Sequence, residues 1–131
     1  MNEIKLRAGT FRHLPNGVIV GLPTNVDMNV EDAKEFIELF WRLEPKGGFR
    51  LMLDQRGVKR RVNAEAREHL KREVERGLDR LAIVTGNTIS RFFASGILAG
   101  MGMGNRARAF DSEEAALSWL SEGRASAFGG K

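Results

Sequence analysis

The sequence predicts an α/β domain in which strands and helices alternate along most of the chain. Short β-branched runs such as Gly17–Leu22 alternate with longer segments whose apolar residues recur at helical spacing. The chain has 131 residues, which is the size of one domain. Alternation of this kind favours a mostly parallel sheet with helices packed on it. We therefore predict a mixed, mostly parallel five-stranded sheet with about four helices, in the order β-β-α-β-α-β-α-β-α.

The amino-terminal part of the chain predicts a hairpin. A weak strand over about 3–8 and a stronger strand over 17–22 lie on either side of the turn Pro15-Asn16-Gly17. We expect these two strands to pair with each other.

The first helix is predicted from its cap and from its breaker. Asn29 and Asp32 have the spacing of a capping box, and Glu44-Pro45 ends the helix. Its apolar residues cover a wider arc than contact with one sheet face requires. The excess has two interpretations, a thick core or a protein interface, and the second assigns Leu39, Phe40 and Trp41 to an interface with a partner or a second copy.

The remaining elements follow in order along the chain. They are a strand at Phe49–Asp54, a helix from Asn63 to about Gly77, a strand at Arg80–Gly86, a helix that begins at Asn87, a short strand at Arg106–Phe110 and a last helix capped by Asp111. We expect one domain over 1–124 and a flexible glycine-rich tail over 125–131.

Composition excludes several classes of function. The chain has no cysteine, so disulfides, thiolate metal sites and cysteine nucleophiles are excluded. The net charge of +4 is only mildly basic, and no aromatic residue is interleaved with the basic loop, which disfavours nucleic-acid binding. The amino terminus does not read as a signal peptide, and the longest apolar run is too short to span a membrane. We therefore expect a cytoplasmic protein without a membrane span.

Three short motifs carry a resemblance to a known family. They are LMLDQRG at 51–57, VNAEAREHL at 62–70 and RAFDSEEAALSWL at 108–120. With the element order from Gly17 to Leu120, they resemble the STAS or SpoIIAA-like group, the fold of the anti-sigma-factor antagonists. The last motif is similar to one shared by small bacterial SpoIIAA-like proteins of unassigned function. The resemblance implies a non-enzymatic regulatory or protein-binding module.

One position departs from that family. Antagonists of this type carry a phosphorylatable serine just after the strand that ends here at Asp54, whereas this chain has Gln55-Arg56-Gly57. No hydroxyl side chain follows Asp54 until Thr85. The sequence therefore predicts that the serine phospho-switch is absent.

Polar residues at the carboxyl ends of the strands form the candidate binding site, because ligands of such sheets gather there. The candidates are Asp54, Gln55, Arg56, Arg61, Asn87, Thr88 and Arg91. Four cations fall between 56 and 61, which suits a small anionic ligand or an acidic protein surface. The alternative interpretation is an ordinary solvated loop.

No catalytic or metal-binding constellation is visible in the sequence. His13 and His69 share no evident carboxylate or second ligand, so neither is assigned to catalysis. We predict a non-enzymatic module without a cofactor or metal, which binds a protein partner or itself. The second hypothesis is a binder of a small anionic or amphipathic ligand at the strand ends.

Overall fold

The computed structural model describes residues 3–86 and 106–122. Within these ranges six strands form a single sheet, and three helices accompany it. The strands are β1 (Glu3–Leu6), β2 (Gly9–His13), β3 (Val18–Pro23), β4 (Phe49–Asp54), β5 (Leu78–Val84) and β6 (Ala107–Phe110). The helices are α1 (Val30–Leu43), α2 (Ala64–Gly77) and α3 (Glu113–Leu120).

Strand order in the sheet follows chain order from β1 to β6. The first three strands are antiparallel neighbours, whereas β3 to β6 are parallel to one another. Helix α1 connects β3 to β4, and α2 connects β4 to β5. The predicted α/β class with a mixed, mostly parallel sheet is confirmed.

The predicted number of five strands is wrong, because Gly9–His13 forms a further strand that was not predicted. The chain turns at Arg7–Ala8 and returns as β2, which pairs with both β1 and β3. The predicted hairpin between 3–8 and 17–22 is therefore a three-stranded meander. Phe11 is the one large apolar side chain of β2, so local alternation is weak there, and pairing on both sides stabilises the strand. The helix predicted from Asn87 and the tail over 125–131 lie outside the described residues.

Helices α1 and α2 both begin at an asparagine cap. The Asn29 side chain accepts a hydrogen bond from the Asp32 backbone N–H at 3.0 Å, and the Asp32 carboxylate accepts one from the Asn29 backbone N–H at 3.0 Å. This reciprocal pair confirms the predicted capping box. Asn63 caps α2 in a simpler way, by accepting from the Ala66 backbone N–H at 2.8 Å.

The first core layer lies between the sheet and the α1–α2 pair. Phe11 of β2 makes edge-on contacts with Phe36 and Phe40 of α1, with ring centroids 4.8 and 5.5 Å apart. Gly21 lies opposite Phe11 in the β2–β3 register. A Cβ atom at Gly21 would lie 2.8 Å from Phe11 Cε1, so the absent side chain makes room for the ring.

The second core layer lies on the other face of the sheet, under α3. Alternate residues of the central strands point to this face, where Val20 and Met52 pack with Ala116 and Leu120. The domain therefore buries apolar side chains on both faces of its parallel strands, as expected for this class.

Candidate functional site

The carboxyl end of β4 carries a closed ion pair. Arg56 Nε donates to Asp54 Oδ1 at 2.8 Å, and Arg56 Nη2 donates to Asp54 Oδ2 at 2.6 Å. The Arg56 backbone N–H also donates to Asp54, at 3.1 Å, and Gly57 adopts a φ of 74° in the same turn. The bound Arg56 guanidinium lowers the pKa of the Asp54 carboxyl. Asp54 and Arg56 are therefore both ionised, and each side chain supplies hydrogen-bond partners for the other.

A second acid lies beside the same arginine. Glu113, the first residue of α3, has Oε1 3.9 Å from Arg56 Nη2. One cation at this strand end thus faces two carboxylates, so the local charge does not favour an anion. We call Asp54, Arg56 and Glu113 the strand-end cluster.

The basic loop that follows is braced by the loop before α1. The Lys59 backbone N–H donates to Asn25 Oδ1 at 2.7 Å, and the Arg61 backbone N–H donates to Asp27 Oδ1 at 3.0 Å. A parallel β-bridge joins Met28 to Val62. The two loops therefore form one ordered unit in front of α1 and α2.

The cations of this loop have different roles. Arg60 turns inward and donates to the carbonyl oxygen of Ala8 at 2.6 Å, and its burial lowers its pKa. The side chains of Lys59 and Arg61 are exposed, and no described residue pairs with them. Of the four loop cations, Arg56 and Arg60 serve the fold, and Lys59 and Arg61 point to solvent.

A groove of about 540 Å³ lies between α1 and α2, next to this loop. It begins at Ala64, directly after the braced loop, and is lined by Val30, Lys34, Ala64, Glu65, Glu68, His69 and Arg72. We call this groove, together with Lys59 and Arg61, the docking surface. The groove was not predicted from the sequence, because its lining comes from two helices that are separated by a strand in the chain.

Arg7 joins the β1–β2 turn to the start of α1, a role that was not predicted from the sequence. Arg7 Nε donates to Asp32 Oδ1 at 3.1 Å, and Arg7 Nη2 donates to Asp32 Oδ2 at 2.6 Å and to the Asp27 carbonyl at 2.7 Å. This bonding lowers the pKa of the buried Asp32 carboxyl. No local pattern marks Arg7, because its partners lie at least twenty residues away.

The predicted interface on α1 needs correction. Leu39 and Phe40 are 1% and 3% exposed and belong to the first core layer, so they do not form an interface. Trp41 is 36% exposed, but its ring packs edge-on against Phe49 with centroids 4.8 Å apart. The wide apolar arc of α1 is used mainly by the core, which both the sheet and α2 help to close.

Of the predicted strand-end residues, the structure brings Asp54 and Arg56 into direct contact. Gln55 donates its backbone N–H to the Val84 carbonyl at 2.8 Å, which continues the β4–β5 pairing past the end of β4. Arg61 lies in the braced loop and is part of the docking surface. Asn87, Thr88 and Arg91 lie outside the described residues.

Comparison with known proteins places the chain in a family. The family model described as "Domain of unknown function (DUF7793)" matches residues 15–124. The chain belongs to this family. No curated protein shows significant similarity to the chain.

A solved structure supports the fold of this DUF7793 domain. The chain is similar to the crystal structure of an uncharacterized protein of the DUF3478 family with a SpoIIAA-like fold, from Shewanella loihica PV-4. The TM-score is 0.60 at 12% sequence identity, and the match covers 91% of this chain and 90% of that chain. The predicted resemblance to the SpoIIAA-like fold is confirmed.

Two further findings concern only the described parts of the chain. Over 3–86 and 106–122, no group of three or more His, Asp or Glu side chains is placed to hold a metal ion. Within the same ranges, none of the helices is long and apolar enough to cross a membrane.

Proposed function

We propose that this chain is a non-enzymatic protein-interaction module, and that its partner docks on the docking surface. The observation that carries the proposal is the pair Lys59 and Arg61. Their backbone N–H groups are fixed by Asn25 and Asp27, while their exposed side chains lack a partner among the described residues. Cations held in place on a braced loop beside a groove are pre-organised for a protein surface, because little loop entropy is lost on binding.

The chemistry of the docking surface specifies the partner. Lys59 and Arg61 require acidic side chains opposite them, and the groove presents both signs of charge through Lys34, Arg72 and Glu68. Exposed charges contribute more to association rate and selectivity than to affinity. A reversible, salt-sensitive complex suits a regulatory module better than a permanent assembly.

The strand-end cluster supports a module without a serine phospho-switch. Where antagonists of the family that it resembles carry a phosphorylatable serine, this chain has Gln55-Arg56-Gly57, and Arg56 is bonded to Asp54 and close to Glu113. A phosphate here would meet two carboxylates. We therefore propose docking that does not depend on phosphorylation of this turn.

The same cluster weakens the alternative of a small anionic ligand at the strand ends. That hypothesis relied on Arg56 and Arg61 as paired donors, but two Arg56 nitrogen atoms already donate to Asp54. An anion would have to displace a bidentate carboxylate that is only 15% exposed. The protein partner is the better-supported proposal.

The test is a charge reversal that leaves the backbone contacts in place. The docking variant is Lys59→Glu with Arg61→Glu, and the matched control is Lys46→Glu with Lys71→Glu, which changes two exposed lysines outside the docking surface. Affinity capture with quantitative mass spectrometry, in cells of the encoding organism, compares the two variants with the unchanged chain. We expect a protein that the unchanged chain and the control retain and the docking variant loses.

Binding measurements with the purified chain and its purified partner then test the proposal directly. By calorimetry, the docking variant should bind the purified partner at least about tenfold more weakly than the control. A tenfold change in Kd corresponds to about 1.4 kcal/mol of binding free energy. Equal binding by both variants would contradict the proposal. So would a thermal shift with inorganic phosphate or nucleotides that Arg56→Ala abolishes, since that result would favour the anionic ligand.

A further inference from the structure

Strand β1 forms one edge of the described sheet. It pairs with β2 on one side, and no described residue pairs with its other side. Its two charged residues, Glu3 and Lys5, are exposed and have no ion-pair partner among the described residues. An edge strand with free backbone groups is a template for pairing with another chain.

The hairpin geometry shows which backbone groups are free. Leu6 and Gly9 flank the two-residue turn at Arg7–Ala8 and form the hydrogen-bonded pair that closes it. Because hydrogen-bonded and non-bonded pairs alternate, Ile4 also bonds toward β2, to Phe11. The N–H and C=O groups of Glu3 and Lys5 therefore point away from the sheet.

Charge then selects one pairing register between two copies of β1. An antiparallel partner must place an outward-pointing residue opposite another, so the pairs at the centre of the contact are Glu3 with Glu3, Lys5 with Lys5, or Glu3 with Lys5 of the partner subunit. Glu3 opposite Glu3, or Lys5 opposite Lys5, brings like charges together. Glu3 opposite the partner subunit's Lys5 gives two ion pairs related by a two-fold axis at Ile4.

We propose that a second copy of this chain binds along β1 in this antiparallel register. The pairing joins two sheets into one through four backbone hydrogen bonds, two from each outward-pointing residue pair. A lone lysine on an edge strand blocks such pairing by like-charge repulsion, but here Glu3 supplies the opposite charge. Ile4, which packs against the first core layer, lies opposite Ile4 of the partner subunit on the sheet face that the helices cover.

The contact involves only the four residues of β1 from each subunit, so the buried area is small and the dimer is weak and concentration-dependent. The buried area lies below the roughly 1,200 Å² that stable complexes bury. Because the ion pairs are exposed, added salt weakens the dimer. This inference does not rest on the proposed function, since it uses neither Lys59, Arg61 nor the groove.

The experiment is a charge exchange measured by analytical ultracentrifugation, from micromolar to millimolar chain. Glu3→Lys and Lys5→Glu should each weaken self-association about tenfold or more, because each replaces two attractive pairs by two repulsive ones. The double variant carrying both changes should recover it. An equimolar mixture of the two single variants should associate, although neither does so alone.

The controls are Glu38→Lys and Lys46→Glu, exposed charges of α1 and of the segment after it, which should leave self-association unchanged. A chain that stays monomeric throughout the concentration range would overturn the proposal. A dimer that the single changes do not weaken, or that the double variant fails to restore, would also overturn it, because another surface would then hold the copies together.

Discussion

Gly77 lies where α2 passes directly into β5, and its missing side chain leaves space for two aromatic rings. A Cβ atom there would lie 2.7 Å from Phe49 Cε2 and 2.8 Å from Trp41 Cζ2. Phe49 is fully buried, and Trp41 packs on it edge-on. Trp41 therefore covers part of the first core layer through its contact with Phe49, although the residue is partly exposed.

Replacing Gly77 by alanine should destabilise the domain. The added methyl group must displace Phe49 or Trp41, and overpacking of this kind costs about 1–3 kcal/mol. Urea unfolding followed by tryptophan fluorescence measures the loss. Gly86→Ala is the matched control, since a Cβ at Gly86 meets no atom of the described residues within 4 Å, and it should change stability little. Equal effects of the two changes would show that the ring contacts are not the cause.

The Arg7–Asp32 pair acts at the scale of elements, because it fastens the β1–β2 turn to the first turn of α1. Asp32 is 4% exposed and accepts from both Arg7 and the Asn29 backbone. The Arg7 guanidinium holds the pKa of Asp32 below its ordinary value of 3.8. The folded state therefore binds this proton more weakly than the unfolded state does.

This pKa shift predicts an acid-sensitive contribution to stability. A depressed carboxyl pKa stabilises the fold fully above the unfolded value, and the contribution disappears as pH falls through the folded value. Asp54, whose pKa is lowered by Arg56, acts in the same direction. The free energy of unfolding should fall as the pH drops below about 5, and Asp32→Asn should flatten part of that slope. An unchanged slope in this variant would refute the assignment to Asp32.

At the scale of the whole molecule, two arginines on neighbouring strands hold α3 against the second face. Arg50 of β4 donates to the Leu120 carbonyl at 2.8 Å, and Arg80 of β5 donates to the Trp119 carbonyl at 2.7 Å. The last turn of α3 has no basic residue of its own, so the sheet supplies the positive charge that its carbonyl end favours. Arg80 also lies over the Trp119 ring, 5.0 Å from its centroid.

Replacing Arg50 by methionine should loosen α3 and destabilise the whole domain. Arg50 is 8% exposed, so its loss leaves the Leu120 carbonyl without this donor and Asp79 without its ion pair. We expect a loss of about 2–4 kcal/mol in chemical unfolding. Hydrogen exchange should also rise first in α3. Arg42→Met, at an exposed arginine of α1, is the control and should have little effect.

Much of the fold was predictable because its signals are local. The cap at Asn29, the breaker at Pro45 and the β-branched run of β3 each lie within a few residues of the element that they specify. Strand β2 escaped prediction because a strand with one large apolar residue has little local signal, and only its two neighbours stabilise it. The interface assigned to Leu39 and Phe40 failed because helical spacing shows how wide an apolar arc is, but not how many elements cover it.

The positions of Asp54 and Arg56 at the end of β4 were predicted, but their contacts were not. The strand-end position of Asp54 and Arg56 followed from the order of elements, and their two-residue spacing suits a turn. The orientation of Arg60 was not predictable, because its acceptor is the carbonyl of Ala8, more than fifty residues away in the chain. The division of the basic loop into structural and free cations therefore came from the folded chain.

Local sequence decided the class of this protein and where most of its helices and strands lie, because capping, turn chemistry and apolar periodicity act within one or two turns of backbone. Tertiary structure alone decided which charges remain free. Arg7, Arg56 and Arg60 are bound to acceptors in the fold, whereas Lys59 and Arg61 and the edge pair Glu3 and Lys5 are left exposed. A charge is available to a partner only when folding brings no opposite charge or backbone acceptor to it, and that depends on residues far apart in the sequence.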